Sequence, residues 1–422
     1  MTDNRGTMGE SARTIDGCQV CGRAGLESLL FLGYMRPGNM MDPIGESPEP
    51  QELYPLEFLR CPACTLVQIG LEVDGRILFP PDFPYRTGNT RALVENFKQL
   101  FVEVRSLIDL RDDDLIADIG SNDGTLLKNF AEAGYPVLGI EPSKAAQDAE
   151  AQGIPTEMRF FDRDLVNELK DEGKRPRIIT CTNTFAHMTE IVERVRALAD
   201  LLPEEGVFVS ESHYLLELVR SLQYDTIYHE HLRYYSVRSL IHLLEMADLE
   251  VFHVSRIPTH GGSIRVYAGH RGNRTPHASV EETLEEEDGY GLTDGSALKT
   301  FRDRVVESKA GLWELLGGIK ANGSTIYGIG AAVRAATLIG YTGVDDSILD
   351  CILEVGSSDK IGKYMPGTRI PVLDEIKLFE AQPDYALLLS WHLADYLATG
   401  LRERGFTGRF IAPLPQPRVL DL

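Results

Sequence analysis

Apolar and polar positions along the middle of the chain fall into two periods. In "DLIADIGSNDGTLLKNFAEAGYPVLGIEPS" an apolar run meets a glycine turn, then an amphipathic helical stripe, then a second apolar run, "VLGIE". That order predicts strand, turn, helix and strand, the start of a parallel sheet. A helical stretch near 90–108 precedes it. "PRIITCTNTFAHM", a helix over 190–201 and "GVFVSES" continue the alternation. From about 256 the texture changes. The segment "SVEETLEEEDGYGLTDGS" reads as solvated, loop-like or helical. A second glycine turn follows in "STIYGIGAAVRAATLIGY", with "DCILEV" and "DYALLLS" as further strands. The pattern predicts an α/β protein of three domains: 1–79, 80–255 and 256–422. No short-period repeat is present.

Composition narrows the function. The length, 422 residues, exceeds one ordinary core, and 43% hydrophobic content is ample for burial. A net charge of -22 argues against nucleic acid as the main partner and, more weakly, against an anionic membrane surface. A local basic pocket for a small phosphorylated ligand remains compatible with it. No apolar run approaches a membrane span, and "MTDNRGTMGESARTIDG" lacks the pattern of a secretion signal. We therefore expect a cytoplasmic protein, in which six cysteines do not make a disulfide framework.

Four of the cysteines form two Cys-x-x-Cys pairs, Cys18 with Cys21 and Cys61 with Cys64. Four thiolates are the tetrahedral set that a structural zinc takes, with no open catalytic position. The spacing between the pairs is longer than usual for such sites, so the insert is expected to form its own small lobe. A redox pair is the competing reading.

The first glycine turn selects a cofactor. Asp118, Gly120, Ser121, Asn122, Asp123 and Gly124 follow a strand and open a helix, and Glu141 ends the next strand. A dinucleotide fold also pairs a glycine turn with a later acid, but wants Gly-x-Gly-x-x-Gly so that backbone amides reach a pyrophosphate. Carboxylates at Asp118 and Asp123 would repel a diphosphate and suit a ligand bearing an ammonium and a sulfonium. S-adenosylmethionine is such a ligand, with Glu141 on its ribose. Asn183 and His187, in "TNTFAHM", fall at the same sheet edge.

The stretch "YDTIYHEHLRYY" holds Tyr228, His229, Glu230 and His231 in four consecutive positions. Beside a methyl donor, that density of proton-carrying groups points to deprotonation of a weakly acidic carbon. His231 is the expected base, Glu230 its orienting carboxylate, and Tyr228 or His187 the group that stabilises an enolate oxygen. His229 is expected to play a structural part behind His231.

The ordered set of two CxxC pairs, "PYRTGNT", "DIGSNDG", "TNTFAH", "YHEHLRYYS", "HGGSIRVY", "YGIGAAVRA" and "KIGKYMPGTRIPV" resembles the sugar C-methyltransferases that act on thymidine-diphosphate 4-keto-6-deoxysugars in antibiotic pathways. The resemblance spans nearly the whole chain. It implies a zinc-binding N-terminal domain, a central Rossmann-like class I methyltransferase domain, and a C-terminal Rossmann-like domain that helps hold the nucleotide sugar. It marks Tyr85, His187, Tyr228, Glu230 and His231 as the catalytic group, and His260, Gly261, Gly262 and Ser263 as a substrate-side turn. The second glycine turn, with Gly330 and Arg334, could bind a diphosphate through a helix N-terminus. A packing turn is the bland reading of it. Thr87, Ile329, Arg334, Ser390 and His392 depart from the family's pattern. Two rival functions remain at this level: a nicotinamide-dependent sugar oxidoreductase or epimerase, and a non-catalytic zinc-ribbon interaction protein.

Overall fold

Strand Ile116–Ile119 is buried at every position, which suits a central parallel strand covered by helices on both faces. The computed structural model describes residues 11–46, 52–79 and 85–421. Residues 1–10 of the N-terminal stretch, the far side of the 79/80 boundary and Pro84 of "PYRTGNT" lie outside the described residues.

The central sheet has seven strands. Their order is Leu249–Ile257, Ser263–His270, Val207–His213, Ile178–Thr182, Ile116–Ile119, Val137–Ile140 and Thr156–Glu157. The five from Val207–His213 onward pair in parallel, and the Ser263–His270 strand runs antiparallel to its neighbours. The chain reverses its direction of winding between Ile116–Ile119 and Ile178–Thr182. A ligand crevice is expected outside the carboxyl ends of the strands there. The expected helices near 90–108 and over 190–201 are Arg91–Leu107 and Ile191–Leu201. The domain break expected near 256 falls inside the Leu249–Ile257 strand, whose hairpin partner completes this sheet.

The N-terminal domain is an antiparallel sheet in the order Arg233–Tyr234, Val67–Ile69, Tyr54–Arg60 and Glu27–Met35. Its edge strand, Arg233–Tyr234, comes from the distant histidine-rich stretch. The expected lobe between the cysteine pairs is the Glu27–Met35 and Tyr54–Arg60 hairpin. The C-terminal sheet runs Val372–Asp374, Cys351–Glu354, Ile326–Ile329, Tyr385–Leu388, Arg409–Ala412 and Arg418–Val419, parallel except for the last strand. The charged segment resolves into helix Ala278–Tyr290, and Gly291 and Gly295, both at positive φ, form the turn into the long helix Ser296–Ala321. Among the described residues, no helix is long and apolar enough to cross a membrane.

Candidate active site

The glycine turn sits at the reversal point. Gly120 has φ +76°, and a Cβ there would overlap the side chain of Thr184, on the turn after the neighbouring strand. Glycine is therefore required twice, for the left-handed backbone and for the close approach. We expect Gly120→Ala to destabilise the protein by about 1–3 kcal/mol and to weaken S-adenosylmethionine binding. Thermal unfolding and calorimetry measure both, and unchanged binding would refute the assignment of this turn.

Glu141 is buried, and its two oxygens accept the Asn122 and Ser143 N–H groups at 3.1 and 2.8 Å. Its carboxylate faces the turn at the end of the second strand. The buried Ser121 hydroxyl has no partner. These groups fit an S-adenosylmethionine ribose. The other two acids have different surroundings from those expected. Asp118 is buried, accepts the Thr180 hydroxyl at 2.6 Å, and is pushed up to about 7 by burial. Asp123 accepts the Gly88 N–H at 2.8 Å and the Thr125 hydroxyl at 2.6 Å. It thereby holds the segment carrying Tyr85 and Thr87 over the turn. Thr87 donates to Asn122 Oδ1 from both its N–H and its hydroxyl, and Asn122 Nδ2 donates to the Tyr85 carbonyl at 3.2 Å. Tyr85 itself is exposed. Asn183 takes a left-handed backbone, φ 55°, and donates its N–H to the Glu211 carbonyl at 2.8 Å.

The histidine-rich stretch is a turn rather than a strand. It is anchored to three domains at once. Arg233–Tyr234 joins the N-terminal sheet, the Leu232 N–H donates to the Ala186 carbonyl, and Asp225 is paired with Arg334 of the C-terminal domain. His231 lies at its centre. The Thr226 carbonyl can only accept, so the His231 Nδ1 facing it at 3.2 Å carries the hydrogen. Nε2 is then a lone pair, and the Tyr228 hydroxyl donates to it at 3.1 Å. His187, by the same reasoning, donates from Nδ1 to the Glu230 carbonyl. The His187 and His231 ring centroids are 4.9 Å apart. Burial lowers the basicity of both imidazoles, in His231 reinforced by His187. Burial, then the Glu230 carboxylate, pushes the Tyr228 phenol well up.

Two expected roles change here. Glu230 does not orient His231: one carboxylate oxygen meets only Asn39 Nδ2, at 3.5 Å, and the other is buried without a partner. The Thr226 carbonyl performs that task. Burial pushes the Glu230 carboxyl up to about 7, so it exists partly protonated, as a donor. His229 Nε2 faces the Pro55 carbonyl of the N-terminal domain at 3.3 Å.

On the substrate side, the turn at 260–263 brings in only one side chain. The His260 ring lies 5.2 Å from that of His213. Cβ atoms on Gly261 and Gly262 would overlap Gln223 and Glu217, and the Ser263 hydroxyl donates to the Thr259 carbonyl at 3.0 Å. These three residues shape the turn that carries His260. Arg334 also differs from expectation. It grips buried Asp225 through Nε and Nη2 at 2.7 and 3.0 Å, and donates from Nη1 to His392 Nδ1 at 2.8 Å. Trp391 Nε1 donates to the same Asp225 at 2.8 Å. The guanidinium therefore locks the catalytic stretch to the C-terminal domain and is not held free for a diphosphate. Gly330, at φ +92°, packs against Ser390.

Cys18, Cys21, Cys61 and Cys64 place their four sulfurs within 4.8 Å of one another. Cys18 and Cys64 are 3.3 Å apart, and Cys21 and Cys61 3.6 Å. Zinc–sulfur bonds of about 2.3 Å in a tetrahedron require sulfurs about 3.8 Å apart. The set fits zinc.

Sequence reasoning missed His213, Asp225 and Thr226. His213 ends the Val207–His213 strand, 5.2 Å from His231 by ring centroids. Its one signal was its place at the carboxyl end of a core strand beside the crevice.

A doubly wound sheet with a glycine turn and a buried strand-end acid at its switch point fits the class I methyltransferase fold. Comparison with known proteins agrees and goes further. Residues 18–79 match the family model "Putative zinc binding domain", residues 93–254 "Methyltransferase domain", and residues 258–415 "C-methyltransferase C-terminal domain". "C-methyltransferase NovU" of Streptomyces niveus is 31% identical, over 98% of this chain and 99% of its own length. The chain belongs to this C-methyltransferase family. Its cofactors are S-adenosylmethionine, for the methyltransferase domain, and zinc, for the four-cysteine domain. Among solved structures, an S-adenosylmethionine-dependent methyltransferase from Clostridium acetobutylicum is 15% identical, covers 42% of this chain and 92% of its own, and has a TM-score of 0.34. The CcbJ methyltransferase from Streptomyces caelestis is 13% identical, with coverages of 42% and 89% and a TM-score of 0.32.

Proposed function

We propose that the enzyme methylates a ring carbon, C3 or C5, next to the ketone of a dTDP-4-keto-6-deoxysugar in antibiotic deoxysugar biosynthesis, through an enolate. The observation that carries this reading is the buried His231, its Nδ1 fixed by the Thr226 carbonyl and its Nε2 lone pair turned to Tyr228. Transfer to oxygen or nitrogen would need one base. Here the Tyr228 phenol bonds the His231 base, and the Glu230 carboxyl, pushed up by burial, lies on the same turn, the set that a carbon acid requires.

The substrate C–H bond breaks, its electron pair delocalises onto the ketone oxygen, and the proton passes to His231 Nε2. Tyr228, and Glu230 in its protonated form, are the donors available to the enolate oxygen. Glu141, Gly120, Asn122 and Asn183 hold S-adenosylmethionine at the crevice, where it supplies an electrophilic methyl. His187 fixes the Glu230 backbone and so the pitch of the 228–231 turn. The zinc site and free thiols fit a reducing cytoplasm. Neither an oxidoreductase nor a non-catalytic zinc protein accounts for membership in a C-methyltransferase family.

Incubation with S-adenosylmethionine and a dTDP-4-keto-6-deoxysugar is expected to give one new carbon-bound methyl signal by NMR, on C3 or C5. A methyl on oxygen, or nicotinamide-dependent turnover of the same sugar, would refute the reading.

A further inference from the structure

The chain has ten histidines, and five of them form one row. Ring centroids are 4.9 Å apart between His187 and His231, 5.2 Å between His231 and His213, and 5.2 Å between His213 and His260. His392, bonded to Arg334, lies close enough to His260 for a charge on one to disfavour a charge on the other. Neither His213 nor His260 takes part in the chemistry described above. His213 makes no side-chain hydrogen bond among the described residues, and His260 Nε2 is buried without a partner. Unpartnered buried polar groups are rare enough to call for a role.

Carbon methylation also leaves one proton over in each turnover. The sulfonium loses its charge when the methyl leaves, and the C–H proton stays on His231. That imidazolium is buried among other imidazoles, which disfavour its charge. The proton must leave before the next substrate can be deprotonated. Around His231, the Thr226 carbonyl cannot take it and the Tyr228 phenol is already protonated. His187 can take it at Nε2, but its Nδ1 hydrogen is directed at the Glu230 carbonyl, which cannot pass a proton on. His213 has both ring nitrogens free, at a ring separation that one bridging water spans.

We propose that His213 and His260 are proton-transfer residues that carry the abstracted proton from His231 Nε2 towards solvent. The N–H bond on His231 breaks as one forms on His213, and His260 repeats the exchange. No oxidant or co-reactant is needed. Beyond His260, the Arg334 guanidinium, paired with Asp225, disfavours a lasting charge on His260 and His213, so the row passes a proton on without holding it. This inference rests on the enolate reading of the site.

The test separates deprotonation from proton escape. In D2O, with S-adenosylhomocysteine in place of the methyl donor, solvent deuterium enters the sugar carbon only if the abstracted proton leaves His231 before it returns. The dTDP-4-keto-6-deoxysugar is the probe, and single-turnover methylation with S-adenosylmethionine is the reference. His213→Gln is expected to slow deuterium entry at least ten-fold more than it slows methylation, and added imidazole is expected to restore part of the difference. His260→Gln, farther along the row from the base, should show the same imbalance more weakly. Equal loss of both rates in the two variants, or unchanged deuterium entry, would overturn the relay. Wild-type enzyme that methylates without deuterium entry would overturn it too. Wild-type enzyme that neither methylates nor exchanges would instead overturn the enolate reading, and the relay with it.

Discussion

His231→Asn is expected to lower kcat by about a hundred- to ten-thousand-fold, the usual worth of a positioned base. At 1.36 kcal/mol per decade this is about 3–5 kcal/mol of lost transition-state stabilisation. The substitution is chosen for what it keeps. An asparagine amide can still donate to the Thr226 carbonyl, as His231 Nδ1 does, so the 226–231 turn retains its internal bond. Only the Nε2 lone pair disappears, leaving the Tyr228 hydroxyl without its acceptor. The set proposed to hold S-adenosylmethionine is a different one, Gly120, Asn122 and Glu141, and among the described residues none of it hydrogen-bonds to His231. Its affinity should therefore stay within a few-fold of wild type. Stopped-flow methylation and calorimetry on the same variant check both halves. Wild-type turnover would remove His231 as the base. Lost cofactor binding would mean that the variant had disturbed the fold.

The features that were legible in the sequence depend on neighbours in the chain. Gly120 and Glu141 are set by a strand–turn–helix–strand unit 26 residues long, in which periodicity, turn chemistry and the strand-end acid agree. The CxxC pairs are likewise local, each closing its own turn: the Gly22 N–H donates to the Cys18 carbonyl, and the Thr65 N–H to the Cys61 carbonyl. The roles that shifted depend on distant partners. Glu230 looked like the orienter of His231 because it is adjacent in sequence, yet adjacent residues in a turn point apart, and a backbone carbonyl five residues back does the work. Arg334 looked like a phosphate ligand because it opens a helix. Its partner is Asp225, 109 residues away, and no local pattern announces that pair. Two of the departures from the family's pattern, Arg334 and His392, meet at this contact beside Trp391, which keeps the family's residue. They form one substituted interdomain tie rather than two separate changes.

The same dependence makes zinc matter to catalysis from a distance. The four cysteines close an N-terminal sheet whose edge strand, Arg233–Tyr234, continues directly from the catalytic turn. Arg233 is buried there. It donates to Gln19, between the first cysteine pair, and to the Phe185 and Met188 carbonyls beside His187. Structural zinc binding contributes about 10–16 kcal/mol in small metal-folded domains, more than an isolated sheet of this size supplies. We expect one zinc per chain by mass spectrometry. Its removal by chelator, or Cys61→Ser, should unfold the N-terminal domain and release the 228–235 segment, so that methylation falls below detection. The seven-stranded sheet does not depend on the metal and should survive with its S-adenosylmethionine affinity weakened but measurable. A metal-free protein that kept both its N-terminal protection from proteolysis and its turnover would show the cysteines to be dispensable. Loss of turnover with the cofactor still bound would place the coupling in Arg233 and Gln19, which join the metal-bearing turn to the histidine stretch.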